Sequence, residues 1–216
     1  MSFLLSVFRP SRRKPPAPVL AVPAQPVIIP GTPFGTDWMW RPDLWAGTIE
    51  PDVFDKCETG QRIGTCASVF HDCAQRDLKV SQVGNSSNKP VSPFAVQFEV
   101  GDFSGSFLSL ALDLPDTAVR DMQKRHLFRL EADVECDAGI SIYARLNIKH
   151  GPNTEKVLQH VPAGSGTISA EFDLAYTQLN VKRVEKIWLD LIFEDPSGKT
   201  FTLQNARMIH RPRSEL

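Results

Sequence analysis

Strict alternation of apolar and polar residues constrains this chain more than any other feature. In PFAVQFEV, Phe94, Val96, Phe98 and Val100 fall on one face, with Ala95, Gln97 and Glu99 on the other. SFLSLALDL gathers Leu108, Leu110, Leu112 and Leu114. LFRLEADVEC sets Phe128, Leu130, Ala132, Val134 and Cys136 against Arg129, Glu131, Asp133 and Glu135. ISIYARLNIK, TISAEFDLAY, KIWLDLIFED and KTFTLQNARMI repeat the period. Successive side chains of a strand point to opposite faces, so this pattern describes strands with one buried and one wetted side. Parallel sheets are buried on both faces and give continuous apolar runs instead, so the sheets are expected to be antiparallel. Many short strands with turn signals every ten or so residues predict an all-β antiparallel β-sandwich of jelly-roll type. One short helix is expected over PDTAVRDMQKRH, residues 115 to 126, where Pro115 suits a first turn and basic residues close the last.

The N-terminal stretch departs from this pattern. Eight of the 17 prolines lie between Pro10 and Pro33. Proline lacks the amide donor and fixes φ, so residues 1–36 read as a Pro-rich tail or tether before a β-sandwich domain at 37–216. The tail holds Arg9, Arg12, Arg13 and Lys14 and no acid, a net +4; the whole chain carries -1, which leaves the body at -5. An acidic body argues against a surface that tracks nucleic-acid phosphates. MSFLLSVFRPSRRK is too short to span a membrane and has its charges after its apolar run, the reverse of a secretory signal. The expectation is a cytoplasmic protein, with weak peripheral contact of this basic segment with an anionic membrane surface as the alternative to a frayed tail.

Catalytic and metal signatures are weak. Gly198-Lys199-Thr200 resembles the end of a phosphate-binding loop, but Phe193 stands where that loop needs glycine, and DPSGKT reads as a hairpin turn. Ser104 in GDFSG has the wrong spacing for a nucleophile elbow. Cys66, His71 and Cys73 offer soft ligands, yet a zinc site normally shows two close pairs and the second is missing. Cys57, Cys66, Cys73 and Cys136 therefore read as free thiols. Asn85-Ser86-Ser87 fits a glycosylation tripeptide that occurs often by chance. Trp38, Trp40 and Trp45, three of the four tryptophans, form either an exposed platform for sugar rings or a lid on one end of the core; large aromatics gain most by burial, which favours the lid.

The outward residues of two strands carry the functional reading. Following the alternation, Tyr143, Arg145, Asn147 and Lys149 share one face of their strand, and Trp188, Asp190, Ile192 and Glu194 share one face of theirs. A tryptophan and an isoleucine on a wetted face need a cover. Should the strands be neighbours, aromatic planes and forked polar groups suit a pyranose ring and its hydroxyls. His150 and Asn153 follow on the turn HGPNT, at the rim of the same set. The alternative is that loops or the Trp-rich segment cover this face and its polar groups make structural bonds.

WRPDLW, FSGSFLSLALDLP, ARLNIKHGPNTE, FDLAYTQLNVKRVEKIWLDLIFE and RPRSEL together resemble an uncharacterised bacterial family, a domain of unknown function known mainly from alphaproteobacteria, over residues 37 to 216. The resemblance implies a bacterial protein and assigns no site. HLFRLEADVEC, GISIYARLNI and LDLIFEDPSGKTFTLQNARMI are similar, at the level of fold, to galactose-binding-like jelly rolls, among them carbohydrate-binding modules. That resemblance implies glycan binding and a structural calcium ion, for which no acid-rich loop matches; fold alone does not fix function. The sequence thus predicts a non-catalytic module that binds a glycan through an outer sheet face. A structural or protein-interaction domain is the alternative, and a carbohydrate-active enzyme the third.

Overall fold

A computed structural model describes residues 35–75, 77–85, 92–120, 122–136, 140–161 and 166–213. Residues 1–34 of the expected tether and Ser86-Ser87 lie outside these. In chain order the elements are β1 (Trp38–Trp40), α1 (Asp43–Ala46), β2 (Val53–Phe54), β3 (Gln61–Ile63), β4 (Ala67–His71), β5 (Leu78–Gly84) and β6 (Phe94–Val100). Then follow β7 (Leu108–Asp113), β8 (His126–Cys136), β9 (Ser141–His150), β10 (Asn153–Val161), β11 (Gly166–Asp173), β12 (Val184–Glu194) and β13 (Thr200–Pro212).

The strands form two antiparallel sheets. The first runs β11-β8-β13-β6-β5-β2, with β1 also on β13; the second runs β10-β9-β12-β7-β4-β3. From β6 onward the chain passes repeatedly from one sheet to the other, which makes a jelly-roll sandwich. The inward faces are those the alternation marks: Leu108, Leu110, Phe128, Leu130, Leu146, Ile148, Leu189, Leu191 and Phe193 are all buried. Phe98, Phe193 and Phe201 meet across the two sheets, with ring centres 4.5 to 5.4 Å apart.

Two local expectations are corrected. DPSGKT is no hairpin: β12 pairs with β7 and β9, whereas β13 pairs with β8, β6 and β1. The turn carries the chain from one sheet to the other, so that the apolar faces of the two strands oppose each other rather than share a ladder. Asp195 and Gly198, at φ 45 and 68, supply the sharp bend. Among the described residues of 115–126 the regular structure before β8 is a single 3-10 turn at Asp116–Ala118, and the α-helix lies instead at Asp43–Ala46. Ala118 and Met122 are held by the core, and burying those two side chains outweighs the propensity of a polar segment too short to hold a helix by itself.

The tryptophans pack into or against the core rather than form an exposed platform. Trp45 is fully buried and its Nε1 donates to Leu203 O at 2.8 Å, while Trp38 and Trp40, in β1, pack partly buried against the core. Burial of an indole with its N–H satisfied is the favourable case for this side chain.

Candidate functional site

Strands β9 and β12 lie side by side. Their register sets Tyr143 opposite Ile192, Arg145 opposite Asp190 and Asn147 opposite Trp188. Carried across the second sheet, the ladder gives two neighbouring rows on its outer face. One is His160, Tyr143, Ile192, Ser109 and Phe70; the other is Leu158, Arg145, Asp190, Ala111, Ser68 and Arg62.

Side-chain size varies systematically along the rows. Ser68, Ser109 and Ala111, on the central strands β4 and β7, are nearly buried although they point outward. Bulky neighbours on both sides shield them: Tyr143, Ile192, Arg145 and Trp188 on one flank, Phe70 and Arg62 on the other. Phe70 is 41% exposed, Phe107 39% and Leu158 54%. The result is a low strip along β7 between taller, partly apolar margins.

The polar row holds a fixed carboxylate. Asp190 is only 5% exposed, and its Oδ2 accepts from Arg145 Nε at 3.0 Å, Arg145 Nη2 at 2.8 Å and Asn147 Nδ2 at 2.9 Å. Asn147, 1% exposed, also donates to Arg145 O and Trp188 O. Such charge-assisted bonds offset the cost of burying the carboxylate and leave the guanidinium fixed at the surface. Tyr143 packs on His160 with ring centres 4.8 Å apart. Lys186 Nζ sits 5.7 Å from the Trp188 ring centre and pairs with Asp113 at 2.8 Å, as does Arg62 at 3.1 Å.

The structure therefore brings together Tyr143, Arg145, Asn147, Trp188 and Asp190. Lys149 lies on the same face but pairs with Glu185 at 2.9 Å. His150 does not join them: it turns to the core side, buried, with Nε2 4.0 Å from Glu155. Asn153 is exposed at the start of β10, paired with the backbone of His150 across the Gly151-Pro152 turn. Sequence reasoning missed Phe70, His160 and the small residues of the strip. The S-x-A alternation in SLALD was the signal, since small side chains in phase with each other mark a depression between larger neighbours.

Cys66, His71 and Cys73 go separate ways. Cys66 Sγ bonds Asp43 Oδ1 at 2.9 Å, His71 Nε2 meets Cys57 O at 3.0 Å, and Cys73 lies beside Ser104. Burial, with Asp43 beside it, pushes the Cys66 thiol up to about 12. The one converging group of three or more His, Cys, Asp or Glu side chains among the described residues includes two imidazoles, a poor match for a calcium ion, which takes oxygen ligands.

Three solved structures illustrate the likeness to known folds. The enzymatically active domain of tailspike protein 4 from bacteriophage CBA120 is 8% identical, with a TM-score of 0.49, over 68% of this chain and 19% of that one. A family 11 carbohydrate-binding module from Clostridium thermocellum, in complex with a mixed-linked tetrasaccharide, is 12% identical at a TM-score of 0.44, over 68% and 91%. The CBM22-1 xylan-binding domain of Paenibacillus barcinonensis Xyn10C is 12% identical at 0.43, over 79% and 99%. No curated protein matches the sequence. The family model that does match spans residues 18–216, so the chain belongs to the family of unknown function DUF6478.

Proposed function

We propose that the chain is a non-catalytic module that binds a glycan on the outer face of its second sheet. The observation that carries this is the strip of small residues, Ser109 and Ala111, between partly exposed aromatic margins and a carboxylate–guanidinium pair already held in place. Tyr143 and Phe70 offer apolar surfaces on which a pyranose ring packs. Arg145 and Asp190 supply donors and acceptors whose ordering cost is met before the ligand arrives, and pre-organisation of that kind raises affinity. Asn147 acts through Asp190, as a positioning residue. Trp188, already covered by Lys186, frames one end.

Affinity electrophoresis of the full chain through gels containing neutral and acidic polysaccharides tests the reading. Retardation by at least one polymer is expected, with Tyr143→Ala and Phe70→Ala each weakening it tenfold or more while the urea midpoint stays in place. Free migration through the whole panel contradicts it. A protein partner on the same face is the second reading, favoured by Leu158, whose exposed aliphatic side chain gives a sugar no planar surface. It predicts a retained face-directed binding partner but no polysaccharide retardation.

A further inference from the structure

One end of the sandwich carries a separate group of side chains. His126 opens β8 and His210 lies near the end of β13; the register sets Pro212 opposite His126 and Phe128 opposite His210. Asp37 immediately precedes β1, whose Trp38 pairs with His210. The His210 ring lies 5.2 Å from that of Trp38 and 4.9 Å from that of His126, centre to centre.

His210 is 3% exposed, and neither of its ring nitrogens has a hydrogen-bond partner. Every protonation state of histidine carries at least one N–H, and a buried donor without an acceptor costs about 1–3 kcal/mol. His126, also buried, accepts from Gln123 N through Nδ1 at 3.3 Å, and its Nε2 lies 3.9 Å from Asp37 Oδ2. The ligand atoms of all three residues fall within 4.8 Å of one another. Asp37 is about half exposed, so the group is reached from solvent.

We propose that Asp37, His126 and His210 bind a divalent transition-metal ion of the zinc class, with one nitrogen from each imidazole, one carboxylate oxygen and a remaining position open to water. Zinc in a site of this kind takes four nitrogen or oxygen ligands at about 2.0–2.2 Å, which sets neighbouring donor atoms roughly 3.4 Å apart and the centres of two imidazoles on one ion about 5 Å apart. The ring centres already stand at this separation, but the two rings lie stacked, 16° from parallel, so their in-plane lone pairs do not yet converge. From separations of up to 4.8 Å the donor atoms close by up to about 1.4 Å, through rotation of the exposed Asp37 and a turn of the imidazoles out of their stack that brings the lone pairs onto one point. Imidazole donors favour zinc, cobalt or nickel over calcium or magnesium, which prefer oxygen. Coordination through Nε2 of His126 places the proton on Nδ1, so the bond from Gln123 N–H is lost when metal binds.

Titration of the untagged full chain with Co2+ tests the site. A visible absorption band of a four-coordinate nitrogen–oxygen site is expected to saturate at one equivalent and to bleach on addition of Zn2+, while the amide resonance of Gln123 shifts. His126 and His210 are packed in the core, so Asp37→Ala is the informative variant: it is expected to fold and to bind Co2+ at least tenfold more weakly. His160→Gln, on the outer sheet face, is expected to bind as the natural chain does. Absence of the band, or a band unchanged by Asp37→Ala, overturns the proposal.

Discussion

The two outer sheet faces arise from the same alternation and have become different surfaces. On the first sheet, charges of opposite sign stand opposite each other and neutralise one another: Glu131 takes Arg129 at 2.9 Å and Arg207 at 2.5 Å, and Glu171 takes Arg129 at 3.2 Å and Arg211 at 3.4 Å. Thr167 and Asn205 both bond Asp133. On the second sheet ion pairs gather at one end, where Asp113 takes Lys186 and Arg62, while the rest of the face has partly exposed apolar margins around one buried carboxylate, Asp190, that holds Arg145 and Asn147. A face that satisfies itself with cross-strand ion pairs needs nothing from outside. The second face leaves Phe70, Phe107 and Leu158 partly in water while it pre-orders Arg145, and this difference is what favours it over the first as the proposed binding surface.

The comparison is sharpened most by removing the buried carboxylate. Asp190→Ala strands Asn147 and the partly buried Arg145, so a loss of about 2–3 kcal/mol in urea unfolding is expected. A loss below half a kcal/mol breaks the claim that this network organises the face. Trimming the margins is expected to act on binding alone: Tyr143→Ala and Phe70→Ala each reduce glycan affinity about tenfold, near 1.4 kcal/mol, with unfolding nearly unchanged. Smaller still is the change expected on the first face. Glu171→Gln removes an exposed partner and should alter stability by less than about 0.5 kcal/mol. At the edge of the second sheet, Cys66 is expected to resist iodoacetamide at pH 8 and to react progressively as pH rises toward 12. Its thiol is held above the ordinary value, so its contribution to stability is present below about pH 9 and is lost as the unfolded thiol ionises above it. Alkylation at pH 8 as fast as in urea contradicts this.

Much of the sandwich was legible because period-2 patterning records which face is buried, and the inward sets of β7, β8, β9 and β12 follow it. Patterning does not record which strands are neighbours. The adjacency of Arg145 and Asp190 depends on two strands 45 residues apart sharing a ladder, and only the packed core decides that. The same gap explains DPSGKT, whose tight turn residues serve a hairpin and a sheet-to-sheet corner alike. Phe70 escaped because ASVFH places two large apolar residues next to each other, and the sequence alone does not choose whether Val69 or Phe70 faces inward. His150 sits one position past the polar face, and a single step along a strand is enough to send it to the core side.

The central claim is that the second sheet's outer face, and not the first's, receives the glycan. Backbone amide shifts followed during titration with an oligosaccharide of whichever polymer retards the chain test it most directly. The expected result is a set of shifts confined to Phe70, Ser109, Ala111, Tyr143, Arg145 and Asp190 and their strand neighbours. Shifts centred on Arg129, Glu131 and Arg207, or none at saturating ligand, would contradict it.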